Sequence, residues 1–157
     1  MSTPPTTPTL TDKNLDAACA TVAGEVARTD GKSSLLLAFN GAGLAGLASV
    51  AGKDLPLPAK AFGAAAVLAL GASAALLLLV VRPRLSGTDR ASFPYWAGLE
   101  DDDAIRDCMQ GDSRAARIRV LSVLAVRKYR LLRRAVDLSL AALALLALAA
   151  GSLVLAG

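Results

Sequence analysis

Three long apolar runs without a charged side chain constrain this 157-residue chain more than any other feature. They cover residues 33–51, 61–81 and 138–157 and are 19, 21 and 20 residues long. A helix of about 20 residues crosses the roughly 30 Å hydrocarbon core of a bilayer. In lipid, every backbone polar group must be bonded within the protein, and runs of this length without alternation form helices. The sequence therefore predicts an all-α membrane protein with three transmembrane helices.

The overall composition favours the same class. Mean hydropathy is +0.50 and 19% of the residues are charged, whereas an average soluble domain has about 25%. The alternative, a soluble helical bundle, requires a polar face on each helix, and these three segments have none.

The basic residues predict the orientation in the membrane. Residues 1–32 and 82–134 hold 15 of the 17 Lys and Arg, and residues 52–60 hold the other two. By the positive-inside rule, the two longer segments lie in the cytoplasm and the C-terminus lies outside. We therefore expect a multi-pass protein of the inner (plasma) membrane. No stripe of alternating basic and aromatic residues accompanies this charge, so nucleic acid is not an expected partner.

These patterns divide the chain into seven segments. They are a disordered tail at 1–10, a cytoplasmic amphipathic helix at 11–32, transmembrane helix 1 at 33–51, an outside loop at 52–60, transmembrane helix 2 at 61–81, a cytoplasmic segment at 82–134, and transmembrane helix 3 at 135–156. The N-terminal amphipathic helix either continues into the first span or breaks at Gly31.

The third span is expected to begin well before the membrane. From Asp112 to Ala150 there is neither proline nor glycine. We predict one helix of roughly 40 residues, so that a cytoplasmic helical segment is continuous with the third span.

Several chemistries are not expected. Histidine is absent, and Cys19 and Cys108 are far apart in sequence. We therefore expect no metal site, disulfide or cofactor. No Ser- or Cys-centred catalytic motif is present, so an enzyme is not expected.

Residues 41–46 formally match the G-x-G-x-x-G dinucleotide motif, but no strand–helix–strand unit surrounds them. The favoured interpretation is a flat ridge of Ala38, Ala42 and Gly46, which would let helices approach closely. Asn40 is interpreted as a hydrogen-bond partner between helices, with a pore-lining role as the alternative.

Three charged clusters are expected to meet at the inner membrane surface. They comprise Arg28, Asp30 and Lys32 before the first span, Arg82 and Arg84 after the second, and the basic residues of 127–134 before the third, of which Lys128, Arg130 and Arg133 are the candidate ligand residues. One interpretation is that they anchor the protein to lipid headgroups. The other is a shared pocket for a phosphate-bearing ligand, with Asp30 holding one arginine in place. Physical reasoning alone favours anchoring.

The order of short motifs resembles a known family. The motifs are R-x-D-x-K at 28–32, Asn-Gly at 40–41, R-P-R-L at 82–85, an aromatic stretch at 93–96, Leu-Ser at 121–122 and K-Y-R-L-L-R at 128–133. Over about residues 15–155 the chain resembles the transmembrane effectors of Pycsar, the pyrimidine cyclase system for anti-phage resistance.

The resemblance implies that a linked pyrimidine cyclase makes cyclic UMP or cyclic CMP on infection. The effector would then impair the inner membrane and cause abortive infection. The expected partners are this nucleotide, the cyclase, the lipid bilayer and further copies of the chain. The alternative is a small three-span scaffold or partner subunit that docks a cytosolic protein through residues 85–134.

Overall fold

The structure is a computed structural model that describes residues 9–82, 92–108 and 110–156. The helices in these ranges are α1 (Leu10–Val50), α2 (Leu57–Val81), α3 (Phe93–Trp96), α4 (Asp102–Cys108) and α5 (Arg114–Ala156). The helices α1, α2 and α5 each contain an apolar stretch long enough to cross a membrane. The prediction of an all-α protein with three membrane spans is confirmed. Residues 1–8 of the predicted tail lie outside the described residues.

The ends of the long helices follow from local chemistry. Thr9 and Asp12 form a reciprocal capping pair at the start of α1: the Thr9 N–H donates to Asp12 Oδ2 at 3.0 Å, and the Asp12 N–H donates to Thr9 Oγ1 at 3.2 Å. Pro56 precedes α2, and Pro58 lies in its first turn, where a missing N–H costs little. The helix ends at Val81, before Arg82 and a proline.

Two helices run without interruption across boundaries between segments that the sequence analysis separated. The helix α1 passes Gly31 without a break, and α5 extends from Arg114 to Ala156. The predicted 40-residue helix is therefore present in α5. The change from charged to apolar residues along each helix involves no change of secondary structure.

The chain forms two compact units, 1–28 with 83–126, and 29–82 with 127–157. In the second unit, α2 and the adjoining parts of α1 and α5 form a three-helix bundle. The buried residues of α2 are Ala59, Ala66, Leu70, Ser73, Leu77 and Val80. From Ala66 to Val80 their spacing alternates between four and three residues, which is that of helices packed knobs-into-holes.

The outer surface of this bundle is apolar. Leu35 is 75% exposed, Leu68 75% and Leu140 59%, one from each helix. Leucine side chains gain nothing from facing water, but they match lipid tails. The exposed leucines therefore support membrane insertion of this unit.

The predicted ridge of α1 does not pack within the chain. Ala38, Ala42 and Gly46 are exposed, and the close approach occurs instead at Gly43, where an added Cβ would lie 3.2 Å from Leu70 Cδ1. The physical reason is the buried Asn40. Positions 38 and 42 lie about 160° around the helix from it, so burying the amide turns the ridge outward.

Candidate functional site

Each helix of the bundle contributes one buried polar side chain to a common cluster. Asn40 of α1 and Ser73 of α2 are 0% exposed, and Ser139 of α5 is 4% exposed. Asn40 Nδ2 donates to Ser73 Oγ at 2.8 Å, and Ser139 Oγ donates to Asn40 Oδ1 at 3.0 Å. The two serine oxygens lie 2.9 Å apart. We call these three residues the polar ring.

Every side-chain nitrogen and oxygen atom of the polar ring has a hydrogen-bond partner on another helix. A serine hydroxyl has one hydrogen to donate, and both hydroxyls lie within 3.0 Å of the carbonyl oxygen of Ala135 as well as of each other. Because Ser139 donates its hydrogen to Asn40 Oδ1, the ring closes when the Ser73 hydroxyl donates to Ser139 Oγ, and the carbonyl oxygen of Ala135, 2.8 Å from Ser73 Oγ, is the alternative acceptor for Ser73. Asn40 as an interhelical hydrogen-bond partner is confirmed, but its two serine partners were not predicted. A signal was present, because Ser73 is the one polar residue of the run 61–81.

In the second unit, Asp30 of α1 and Lys128 of α5 form an ion pair beside the apolar stretches of these helices. Lys128 Nζ lies 2.6 Å from Asp30 Oδ1, and the two side chains are 15% and 38% exposed. Because the contact is partly buried, solvent and salt screen this attraction less than they screen an exposed pair. The partner of Asp30 is thus a lysine, where we expected an arginine.

The other predicted ligand residues are placed as follows. Arg28 pairs with Glu25 at 3.0 Å in the first unit. The side chains of Lys32, Arg82, Arg130 and Arg133 are exposed, and Arg84 lies outside the described residues. The structure therefore brings together Asp30 and Lys128 from the predicted set, and a pocket shared by the whole set stays a prediction.

Sequence reasoning missed Arg114, which connects α1 to the start of α5 within the first unit. Its guanidinium bonds Asp12, Asp16 at 3.0 Å and Asp112 at 2.9 Å. An arginine in the first turn of a helix opposes the helix dipole, so its position was a signal that acids must compensate it. Hydrogen bonds from Thr9 and then Arg114 lower the pKa of Asp12 to about 2. Bonds from Arg114 also lower the pKa of Asp112, and these acids raise the pKa of Arg114.

The first unit also contains a cavity of about 500 Å³, large enough for a small ligand. Its lining includes Tyr95 and Leu99, together with the carboxylates of Asp107 and Asp112. No basic side chain is among its described lining residues. Its charge does not complement a phosphate group.

The apolar three-helix bundle, its buried polar ring and its flanking charges define a helical membrane protein rather than a soluble one. The Pycsar effector protein domain matches residues 14–156, and the chain belongs to this family. No curated protein and no solved structure matches the chain significantly. The match confirms the resemblance and assigns the chain to the membrane effectors of anti-phage defence, which are linked to a cyclase and a cyclic nucleotide signal.

Proposed function

We propose that the protein is activated by cyclic UMP or cyclic CMP from a partner cyclase and then impairs the inner membrane, which kills the cell before phage is released. The observation that carries this proposal is the family match, which covers the apolar stretches of α1, α2 and α5 together. The matched residues 14–156 include the three spans and the charged segments that flank them. The effector function is therefore attributed to the spans and the charged segments beside them.

The proposed orientation places the N-terminus and residues 82–134 in the cytoplasm, where a cyclase product is made. The excess of twelve basic over seven acidic residues in 82–134 supports this side. The nucleotide would then meet the charged clusters without crossing the bilayer.

The proposed ligand contact is the cyclic phosphate on the predicted basic residues. Exposed guanidinium groups at Arg82, Arg130 and Arg133 can donate two parallel hydrogen bonds to a phosphate. Lys128 already has a carboxylate partner, so a phosphate would compete with Asp30 for its charge. The cavity of the first unit is lined by the carboxylates of Asp107 and Asp112, which repel a phosphate, and it is therefore a weaker candidate for the phosphate site.

The test is co-expression with a cyclase that makes cyclic UMP or cyclic CMP, while membrane potential is followed with a voltage-sensitive dye. Depolarisation is expected with an active cyclase and not with a catalytically inactive one. A cell that carries the cyclase without the effector controls for nucleotide toxicity. Unchanged potential with both nucleotides would contradict the proposal and favour the scaffold alternative, which a cytosolic partner bound to residues 85–134 would support.

A further inference from the structure

We infer that the polar ring is a hydration gate: it holds the bundle closed and dry at rest, and it lines a water-filled path when the effector is activated. This inference rests on the proposed function and specifies how the membrane is impaired. Neither the family match nor the charged clusters assigns a role to Asn40, Ser73 or Ser139.

The resting state is dry because the polar groups of the ring hydrogen bond to one another and not to water. The side chains of all three residues are buried, and each hydrogen bonds another across the helix contacts. No buried side-chain polar atom lacks a partner among the described residues. The ring therefore has no need of water while the three helices are packed.

The surroundings of the ring strengthen this closure. Leu70, Leu77 and Ala142 are buried in the same unit, and apolar constrictions exclude water and ions. Ser33, also buried, donates to the carbonyl of Thr29 on its own helix, and this bond does not bridge helices. The ring is thus where the described side-chain hydrogen bonds join all three spans.

Opening the bundle couples helix separation to water entry. When the helices part, the Asn40 amide and the serine hydroxyls lose their partners. Lipid tails can neither donate nor accept hydrogen bonds, so these groups are costly to expose to lipid. Water can replace the lost partners, and a separated but hydrated ring is therefore favoured over helices dispersed singly in lipid. Polar residues inside a span commonly mark such paths.

A purely structural role is the alternative, because interhelical hydrogen bonds also hold membrane helices together without any path. The two roles differ in the activated state. A structural contact stays intact or is exposed to lipid, whereas a gate is wetted. Cysteine reactivity separates them, since charged thiosulfonates react with thiols that contact water.

The experiment uses the full chain with Cys19 and Cys108 replaced by Ala and Ser, after this background has been shown to depolarise cells like the parent. Ser139→Cys is the test variant, and Leu140→Cys, one residue further and 59% exposed on the outside of the bundle, is its matched control. Membranes opened by freeze–thaw receive a positively charged methanethiosulfonate with cyclic UMP, cyclic CMP or neither. Ser73→Cys on α2 repeats the test should Ser139→Cys fail to insert.

At least a tenfold rise in labelling rate at position 139 is expected with the activating nucleotide, with position 140 unreactive throughout. Depolarisation in cells without labelling of either ring position would overturn the gate and leave the proposed function intact. Equal labelling at 139 and 140 would replace the gate by a general lesion. Labelling of the ring without nucleotide would contradict a dry resting state. Failure of the background chain to depolarise with either nucleotide would remove the proposed function and this inference with it.

Discussion

Lys128 has the least exposed basic side chain of the predicted ligand residues that the structure describes, and Asp30 neutralises it. The exposed residues Arg82, Arg130 and Arg133 form no ion pair among the described residues of this unit. Two kinds of basic residue therefore flank the spans, one held in a fixed contact and others directed outward. The outward ones can anchor lipid headgroups or bind a phosphate, and the geometry required distinguishes these roles.

The contact between Asp30 and Lys128 is expected to couple the two residues energetically. Asp30→Asn leaves a partly buried ammonium without its carboxylate, and Lys128→Gln leaves the carboxylate alone. For a pair between the surface and buried limits, each change should cost about 1–2 kcal/mol. A double-mutant cycle, measured by unfolding in mixed detergent micelles, should show that the losses are not additive. Additive losses would show that the two side chains act independently.

Arg130→Lys tests whether this cluster recognises a phosphate or only anchors the chain. Headgroup attraction needs charge, whereas a phosphate pocket uses the planar fork of the guanidinium. A pocket predicts a nucleotide response weakened about tenfold, with membrane insertion unchanged, measured by depolarisation across a range of cyclase expression. Arg134→Lys, an exposed position on the same helix outside the predicted set, is the control. A parental response of Arg130→Lys would remove Arg130 from the ligand site.

Asp12 gives the first unit a pH-dependent contact. Its pKa is about 2 in the folded chain and 3.8 without partners, so the folded state favours the ionised form. The stabilisation is complete above about pH 4 and is lost as pH falls towards 2. Thermal unfolding in detergent should therefore separate the parent from Asp12→Asn at pH 6, with the difference shrinking between pH 4 and 2. A difference that does not change with pH would show that ionisation of Asp12 contributes nothing.

At the scale of elements, local patterns predicted what depends on local chemistry. Uninterrupted apolar runs predicted the spans, and the absence of proline and glycine from 112 to 150 predicted the part of α5 that precedes Gly151, which the helix also includes. The face of α1 that is buried could not be read the same way, because it depends on Asn40 meeting two serines 33 and 99 residues away. The Asp12–Arg114 and Asp30–Lys128 contacts join residues 102 and 98 apart. Pairings at such distances are decided by packing, which one sequence does not display.

The continuity of α5 makes a prediction about signalling. A signal sensed beside the spans is proposed to travel along this helix, and two glycines inserted after Arg134 should loosen it, at about 1 kcal/mol for each glycine. The third span keeps its apolar length, so insertion should survive. We expect nucleotide-triggered depolarisation to be lost, measured with the voltage-sensitive dye.

Two alanines inserted at the same place are the matched control, because they shift the register equally but preserve a stiff helix. Loss of depolarisation in both variants would assign the effect to register. Normal depolarisation in the glycine variant would exclude this helix as the route and favour self-association of the flanking segments.

At the scale of the whole molecule, the surfaces of the two units suit different solvents. The bundle of the second unit presents leucine outward and keeps its hydrogen bonds inside, as lipid requires. In the first unit, carboxylates and an arginine form exposed and partly buried bonds, as water permits. The chain therefore has one unit suited to lipid and one suited to solution. The helices α1 and α5 each contribute residues to both units.

The orientation of this arrangement is the last prediction. If residues 82–134 are cytoplasmic, a cysteine at Gly98, an exposed position of the first unit, should be protected from an impermeant maleimide in intact spheroplasts. A cysteine at Leu57, which is 80% exposed at the start of α2, should react, because the connection between α1 and α2 and the start of α2 would face outside. Lysis should make both positions reactive, which controls for burial of either thiol. The positive-inside rule makes this the favoured result, since 12 of the 17 basic residues belong to 82–134. Labelling of Gly98→Cys but not Leu57→Cys in intact spheroplasts would reverse the topology. The charged clusters would then lie on the side opposite to a cytoplasmic cyclase, and its nucleotide could not reach them.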